Sequence, residues 1–276
     1  MPELPEVETV RRTLTSLVVG KQIEDVIVSL PRLIKEPDDA MQFSHLLKGQ
    51  TIREMGRRGK FLLFYLDDFV LVSHLRMEGR YGLYATAEPV EKHTHVIFRF
   101  TDGSELRYKD VRTFGTMHLF VKGKEQAGPP LHKLGPEPLG EAFTAGMLKE
   151  RMKGRKSKVK PLLLNQEIVV GLGNIYVDEA LFQAGIHPER LPAELTDKQW
   201  QSLYESIVDI LEKSISLGGS SIKSYVNGQG ETGNFQHTLK AYGRTGEPCV
   251  TCGTPIEKSV VGGRGTHICP ACQPRT

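Results

Sequence analysis

Four cysteines stand in the last 28 residues of this 276-residue chain, as Cys249-x-x-Cys252 and Cys269-x-x-Cys272, with sixteen residues between the pairs. Thiolates on two short turns can close a tetrahedron around a divalent ion, and two paired dicysteine turns have the spacing of a structural zinc site. A disulfide framework in a secreted protein spreads its cysteines more widely. A redox pair or a buried cysteine cluster are the other readings. Four thiolates saturate zinc, so the ion expected here is structural: it stabilises a small element that lacks a core and catalyses nothing itself.

A second group with chemical potential is Pro2, which follows Met1. Methionine before a small residue is commonly removed, which would expose the proline nitrogen as a secondary amine. A free α-amino group has a pKa near ~8, against ~10.4 for lysine, so a useful fraction is neutral at physiological pH and able to attack carbon. Attack on the anomeric carbon of a deoxynucleotide would displace the base and leave an iminium. The iminium acidifies the neighbouring carbon, so the 3′ and then the 5′ phosphate can be eliminated. Glu3 and Glu6 lie beside this nitrogen in sequence, and one carboxyl group could protonate the sugar ring oxygen. Taken alone these residues say little, because acids in the first turn of a helix are ordinary dipole partners.

The elements that must position such groups are legible as patterns. Val7, Val10, Leu14 and Leu17 recur at helical spacing, Pro5 suits a first turn and Gly20 ends the run, which predicts a helix over Leu4–Val18. Short runs rich in β-branched and aromatic residues follow at Thr51–Met55, Lys60–Leu66, Phe69–Leu75, Thr94–Phe100, Glu105–Lys109 and Thr116–Val121, with turns at Asp67-Asp68 and Asp102-Gly103. They suggest an antiparallel sandwich. Pro129-Pro130 and Gly135-Pro136-Glu137-Pro138 read as a linker. Beyond it the pattern turns helical, most clearly at Leu195–Leu217, with a capping box of Thr196 and Gln199, an apolar face of Trp200, Leu203, Ile207, Ile210 and Leu211, and Gly218-Gly219 at its end. The polar, glycine-rich stretch from Ser220 to Asn234 reads as a loop.

Composition sets wider bounds. The chain is 39% hydrophobic and 25% charged, as globular proteins are. No apolar run reaches the ~18 residues of a membrane helix, and the acidic N-terminus is no signal peptide, so the expected location is the cytosol. The net charge of +3 says little, but seven basic residues and one acid fall between Lys149 and Lys160, and five basic residues against two acids from Lys240 onward. Such stripes suit a face that grips phosphates, and equally a solvated surface helix.

The string Pro2-Glu3-Leu4-Pro5-Glu6-Val7-Glu8-Thr9 resembles the N-terminal signature of the formamidopyrimidine-DNA glycosylases. Further blocks agree in order along nearly the whole chain: Arg57-Arg58-Gly59-Lys60, His74-Leu75-Arg76-Met77, Asp110-Val111-Arg112-Thr113-Phe114-Gly115, Gly135-Pro136-Glu137-Pro138-Leu139, Gly171-Leu172-Gly173-Asn174-Ile175-Tyr176, Tyr242-Gly243-Arg244 and the cysteine module. The related endonuclease VIII group shares the architecture, but leucine at position four is not typical of it.

The resemblance implies an α+β fold: an N-terminal antiparallel β-sandwich with flanking helices, then a helical part with a helix–turn–helix element and a β-hairpin zinc finger. The expected segments are 1–128, 129–238 and 239–276. It implies that Pro2 is the Schiff-base nucleophile, Glu3 its acid/base partner and Glu6 a support, with Lys60 a catalytic residue that holds the phosphate next to the lesion and His74 another backbone contact. Met77, Arg112 and Phe114 would refill the stack after the damaged nucleotide is flipped out, a step that otherwise leaves a few kcal/mol of unstacking uncompensated. The bland alternative puts Met77 and Phe114 in a core. The family's motif often has a second basic residue after Arg112, whereas Thr113 stands here, which removes a phosphate contact. Asn174 would grip phosphate near a helix start, or simply cap the helix beginning near Val177. Tyr242 would be a further phosphate contact, and Gly262-Gly263-Arg264-Gly265 the finger's tip, with Arg264 reaching phosphates near the active site. Ser220, Ser221, Ile222, Lys223, Ser224 and Tyr225 resemble the family's lesion-reading segment. The expected activity is removal of oxidised purines such as 8-oxoguanine and formamidopyrimidines, with β,δ-elimination at the abasic site. A glycosylase for oxidised pyrimidines and a non-catalytic, zinc-dependent DNA-binding protein are the alternatives. The expected partner is damaged double-stranded DNA, bound by a monomer of one structural zinc, in the bacterial cytoplasm at the nucleoid and away from membranes.

Overall fold

The computed structural model describes residues 1–220 and 233–275. Ser221, Ile222, Lys223, Ser224 and Tyr225 of the expected lesion-reading segment lie outside them. The chain divides into two compact units, Met1–His132 with Gly218–Asn234, and Lys133–Leu217 with Phe235–Thr276.

The first unit begins with α1 (Leu4–Val18), whose Val7, Val10, Leu14 and Val18 are buried as the 3.6-residue period requires. There follow β1 (Ile23–Val28), β2 (Ile34–Glu36), α2 (Ala40–Leu47), β3 (Glu54–Arg58), β4 (Phe61–Tyr65), β5 (Phe69–His74), β6 (Arg80–Ala85), β7 (Thr94–Phe100), β8 (Ser104–Lys109) and β9 (Thr116–Val121). They form a four-stranded sheet of order β1-β7-β8-β6 and a five-stranded sheet of order β2-β9-β5-β4-β3. Phe64 and Leu71 of one sheet share a core with Tyr81, Val96, Phe98 and Tyr108 of the other, so the two sheets are the layers of a sandwich. The apolar runs Phe-Leu-Leu-Phe in β4 and Val-Leu-Val in β5 are buried throughout, as strands covered on both faces are. The α+β class stands as expected. One strand departs from an all-antiparallel sandwich: the short edge strand β2 runs parallel to β9.

The second unit contains α3 (Ala145–Met152), α4 (Val159–Leu164), α5 (Asn174–Gln183), α6 (Asp197–Ser216), β10 (Glu257–Val261) and β11 (Arg264–Ile268). Helices α3 and α5 pack on α6. The apolar face of Trp200, Leu203, Ile207, Ile210 and Leu211 meets Tyr176, Val177, Ala180 and Leu181. The Thr196–Gln199 capping box is present, Thr196 N–H donating to Gln199 Oε1 at 3.0 Å. Strands β10 and β11 make a hairpin in which Val261 faces Arg264. The turn is therefore only Gly262-Gly263, with φ of +58° and +75°, a left-handed pair that side chains disfavour and two-residue hairpins require. Arg264 closes the turn and opens β11, so the expected tip, Gly262 to Gly265, consists of the two turn glycines and the first two residues of β11.

Candidate functional site

The start of α1 is buried: Pro2 is buried, Glu3 is 4% exposed and Glu6 2%. Glu3 N–H donates to Glu6 Oε2 at 2.8 Å, so the Glu6 side chain satisfies a helix-start donor next to Pro2. The other oxygen of the same carboxyl, Oε1, accepts from Ser220 N–H at 2.7 Å. Glu6 thus joins the proline segment to the residue that opens the glycine-rich stretch. Gly219 makes this approach possible. Its φ is +79°, and a Cβ there would stand 3.0 Å from Glu6 Oε1. At the other end of the stretch a Cβ on Gly233 would meet Gly219 O at 2.2 Å. In the sequence Gly219 is only a helix stop, because its close approach to Glu6 joins positions more than two hundred residues apart.

Glu8 fastens α1 to the sheet. It accepts from Arg11 and Arg12 on its own helix and from Arg57 Nε on β3 at 3.1 Å. Burial pushes its carboxyl up, but the hydrogen bonds and charges of these arginines outweigh that and hold it down at about 2. The helical pair spacing of Glu8 with Arg11 and Arg12 was visible in sequence; the Arg57 bond was not.

Lys60 lies in the β3–β4 turn and His74 ends β5, both largely buried. Phe61 pairs with His74 across the ladder, and the two rings meet edge to face at 4.5 Å. Burial, then the Arg76 and Lys60 charges, push His74 down to about 3, so its imidazole is neutral. Nδ1 accepts from Arg76 N–H at 2.9 Å, which leaves the proton on Nε2.

The same end of the sandwich carries the two crossings between sheets. His74 pairs with Phe61 and Thr116, and Arg80 pairs with Lys109. The crossing from β5 to β6, residues 75–79, and that from β8 to β9, residues 110–115, are therefore neighbours. Met77 is half-buried on the first, Arg112 exposed on the second, and Phe114 is 53% exposed beside it, with the guanidinium 5.0 Å from the centre of its ring. Phe114 is accordingly not a core residue. The guanidinium of Arg32 is hydrogen-bonded to Thr113 Oγ1, so a cation borrowed from another segment stands at the position where the family often has its second basic residue.

In the second unit α5 organises the remaining candidates. Gly173, not Asn174, is its cap residue. Asn174 Nδ2 donates to Gly265 O at 2.8 Å, next to Arg264. Glu179 accepts the N–H groups of Lys240, Ala241 and Tyr242 at 2.9, 2.8 and 2.8 Å. Burial raises its carboxyl against the opposing effect of these donors. Lys160 corrects the basic-stripe reading. It is 0% exposed and paired with Asp178, 1% exposed, at 2.6 Å. Its ammonium also donates to Thr266 Oγ1 at 2.8 Å and Gly265 O at 3.0 Å, while Asp178 Oδ2 accepts from His267 N–H at 3.0 Å. Sequence showed a charge run. The buried pair needs α4, α5 and β11 together.

The four cysteine sulfurs lie within 4.8 Å of one another, with separations of 3.9 Å (Cys249–Cys272), 3.4 Å (Cys252–Cys269) and 3.5 Å (Cys252–Cys272). A disulfide needs about 2.05 Å, whereas four thiolates ~2.3 Å from zinc stand about 3.8 Å apart. The residues present fit the ion, and all four would hold it, closing the base of the β10–β11 hairpin.

These features define an α+β zinc-finger protein with a buried, acid-flanked proline at its start. Three family models match along it: the formamidopyrimidine-DNA glycosylase N-terminal domain over residues 1–117, the H2TH domain of the same family over 134–226, and a zinc finger found in FPG and IleRS over 246–275. The formamidopyrimidine-DNA glycosylases of Halalkalibacterium halodurans and Brevibacillus brevis are 65% and 63% identical to it over 273 residues, covering 99% of this chain and 100% and 99% of theirs. A solved Lactococcus lactis FPG mutant in complex with Fapy-dG-containing DNA superposes with a TM-score of 0.93 at 46% identity, over 99% of this chain and 100% of that one. The L. lactis Fpg bound to abasic-site DNA superposes with a TM-score of 0.92 at 46% identity, over 99% of each chain. The chain belongs to the formamidopyrimidine-DNA glycosylase family.

Proposed function

We propose that this protein is a base-excision repair enzyme that removes oxidised purines from duplex DNA and then cuts the strand at the abasic site. The observation that carries the reading is the buried start of α1, where Glu6 ties the backbone next to Pro2 to Ser220. One carboxyl group holds both the residue after Pro2, the nucleophile in this reading, and Ser220, the first residue of the stretch assigned to lesion reading. Relatives at 65% and 63% identity carry the name of this activity, and the L. lactis neighbours are bound to Fapy-dG and abasic-site DNA.

The neutral Pro2 nitrogen bonds to C1′, the base leaves with a proton, and Glu3 protonates the ring oxygen as the sugar opens to an iminium. Loss of a C2′ proton expels the 3′ phosphate, and a second elimination expels the 5′ phosphate. Lys60 and the neutral Nε2–H of His74 hold backbone phosphate close by. Asn174, Tyr242 and Arg264 are the phosphate contacts of the second unit. Met77, Arg112 and Phe114 refill the stack, and Ser220 to Tyr225 read the base. The four cysteines would hold zinc, which would stiffen the hairpin and supply no chemistry. In functional terms the segments are 1–128, 129–238 and 239–276. The protein acts as a cytoplasmic monomer; no helix among the described residues is long and apolar enough to cross a membrane.

Borohydride trapping tests the reading. Wild-type protein should form a covalent adduct with 8-oxoguanine duplex, more readily than with thymine glycol duplex, and Pro2→Gly should weaken it severely. Active protein whose intact mass still includes Met1 would overturn the proposal.

A further inference from the structure

The two sheet crossings that carry Met77 and Phe114 share an unusual backbone. Arg76, just before Met77, has φ of +54°, and Thr113, just before Phe114, has φ of +57°. Residues with side chains seldom take this conformation, so the surroundings must hold each turn. The first is held by His74 Nδ1 on Arg76 N–H and by Gly79 N–H donating to Leu75 O at 2.9 Å. The second is held by Asp110, which is fully buried. Its Oδ1 accepts from Arg112 N–H at 3.1 Å and its Oδ2 from Gly115 N–H at 2.8 Å, one on each side of Thr113.

One atom stands between the turns. The Tyr108 hydroxyl donates to Asp110 Oδ2 at 3.3 Å. A Cβ on Gly79 would lie 2.3 Å from that oxygen, and a Cβ on Gly115 1.7 Å from it. Both backbones therefore close on the hydroxyl, and only glycine leaves room. The phenol is fixed from below: its ring packs on Tyr81 at 5.0 Å, Tyr81 packs on Phe64 at 5.4 Å, and Tyr81 OH is bonded to Ser73 Oγ at 2.7 Å. Asp110 is fixed from the side, its N–H donating to His93 O at 3.0 Å and its carbonyl bonded to His95 Nε2 at 2.9 Å.

We infer that Tyr108 and Asp110 are positioning residues that lock the two stack-filling turns in one constellation, so that Met77, Arg112 and Phe114 meet the duplex already arranged. This rests on the role given to those three side chains above. Preorganised groups spare the ordering that insertion would otherwise require. The lock should therefore matter when an intact lesion pair is opened, and little when the base is already gone.

Tyr108→Phe removes one oxygen and leaves the ring contacts in place. The single-turnover rate on an 8-oxoguanine duplex should fall about tenfold, the scale of one buried hydrogen bond. Cleavage of a preformed abasic site should stay within about twofold, because that step needs no base eviction. The fluorescence rise of 2-aminopurine next to the lesion, which reports insertion, should slow in parallel. Asp110→Asn should show the same split, read on folded protein, with a larger loss. In a Met77→Ala/Arg112→Ala background Tyr108→Phe should add almost nothing. Equal losses on both substrates, an unchanged 2-aminopurine signal, or a full additional loss in that background would overturn the inference while leaving the glycosylase reading intact. A wild-type protein inactive on both substrates would overturn the glycosylase reading itself, and this inference with it.

Discussion

Asp178→Asn should destabilise the second unit severely, because it strands a buried ammonium. Lys160 is 0% exposed, and its ammonium meets Asp178 at 2.6 Å, Thr266 Oγ1 at 2.8 Å and Gly265 O at 3.0 Å. Asparagine can still offer one oxygen to Lys160, but it supplies no negative charge, and its NH2 then faces the His267 N–H that Oδ2 accepts at 3.0 Å. Removing one partner of a buried ion pair costs about 3–5 kcal/mol. At ~4 °C per kcal/mol for a body of this size, the melting temperature should fall by roughly 10–20 °C. Calorimetry on the zinc-loaded full chain measures this. Lys160→Met/Asp178→Leu removes both ions and should recover most of the loss, since apolar replacements of a buried pair are often neutral or better. The pair also fixes Gly265 and Thr266, and Thr266 Oγ1 donates to Arg264 O at 2.9 Å. Misplacing Arg264 should therefore flatten the slope of log affinity against log salt by about 0.9, one phosphate contact. A fall of less than about 3 °C, with an unchanged slope, would refute the reasoning. A double variant that melts as low as the single one would show that shape, and not the stranded charge, is what matters.

Cys269→Ser should lower zinc content and DNA affinity together, by metal assay and titration; normal affinity without zinc would contradict the finger's role. Met77→Ala should impair cleavage of an 8-oxoguanine pair more than cleavage of an abasic site, and equal losses would count against stack filling. His74 is held down at about 3 in the fold, against ~6.5 unfolded, so on acidification the unfolded chain takes the proton first. Its contribution is lost as pH falls from about 6.5 towards 3, and between pH 7 and 5 the wild type should lose about 2 kcal/mol more than His74→Gln in denaturant titrations. An imidazole titrating near 6.5 by NMR would exclude this. Gly219→Ala puts a methyl 3.0 Å from Glu6 Oε1 at a φ of +79°, and should cut lesion removal several-fold with a melting shift of only a few degrees, about 1 kcal/mol of strain.

Local spacing was enough for part of this protein. The helix Leu4–Val18 and the strands Thr94–Phe100 and Thr116–Val121 have the bounds their residue patterns imply, because a period of 3.6 or 2 lies within a few residues of chain. The cysteine quartet was legible for the same reason. The strand Arg80–Ala85 is not legible in the sequence: Gly82 breaks its pattern and most of its residues are only half-buried. The six-residue helix Val159–Leu164 is too short to show a period. What the chain alone could not reveal is which charges go inside. Lys160 reads as one more member of a basic run until Asp178 and Thr266, 18 and 106 residues away, close around it. Tyr108 reads as a strand aromatic until Gly79 and Gly115 meet at its hydroxyl. Residue type and near-neighbour spacing determine the elements and nominate the reactive groups. Burial and long-range pairing exist only once the backbone has folded, and they decide what holds those groups in place.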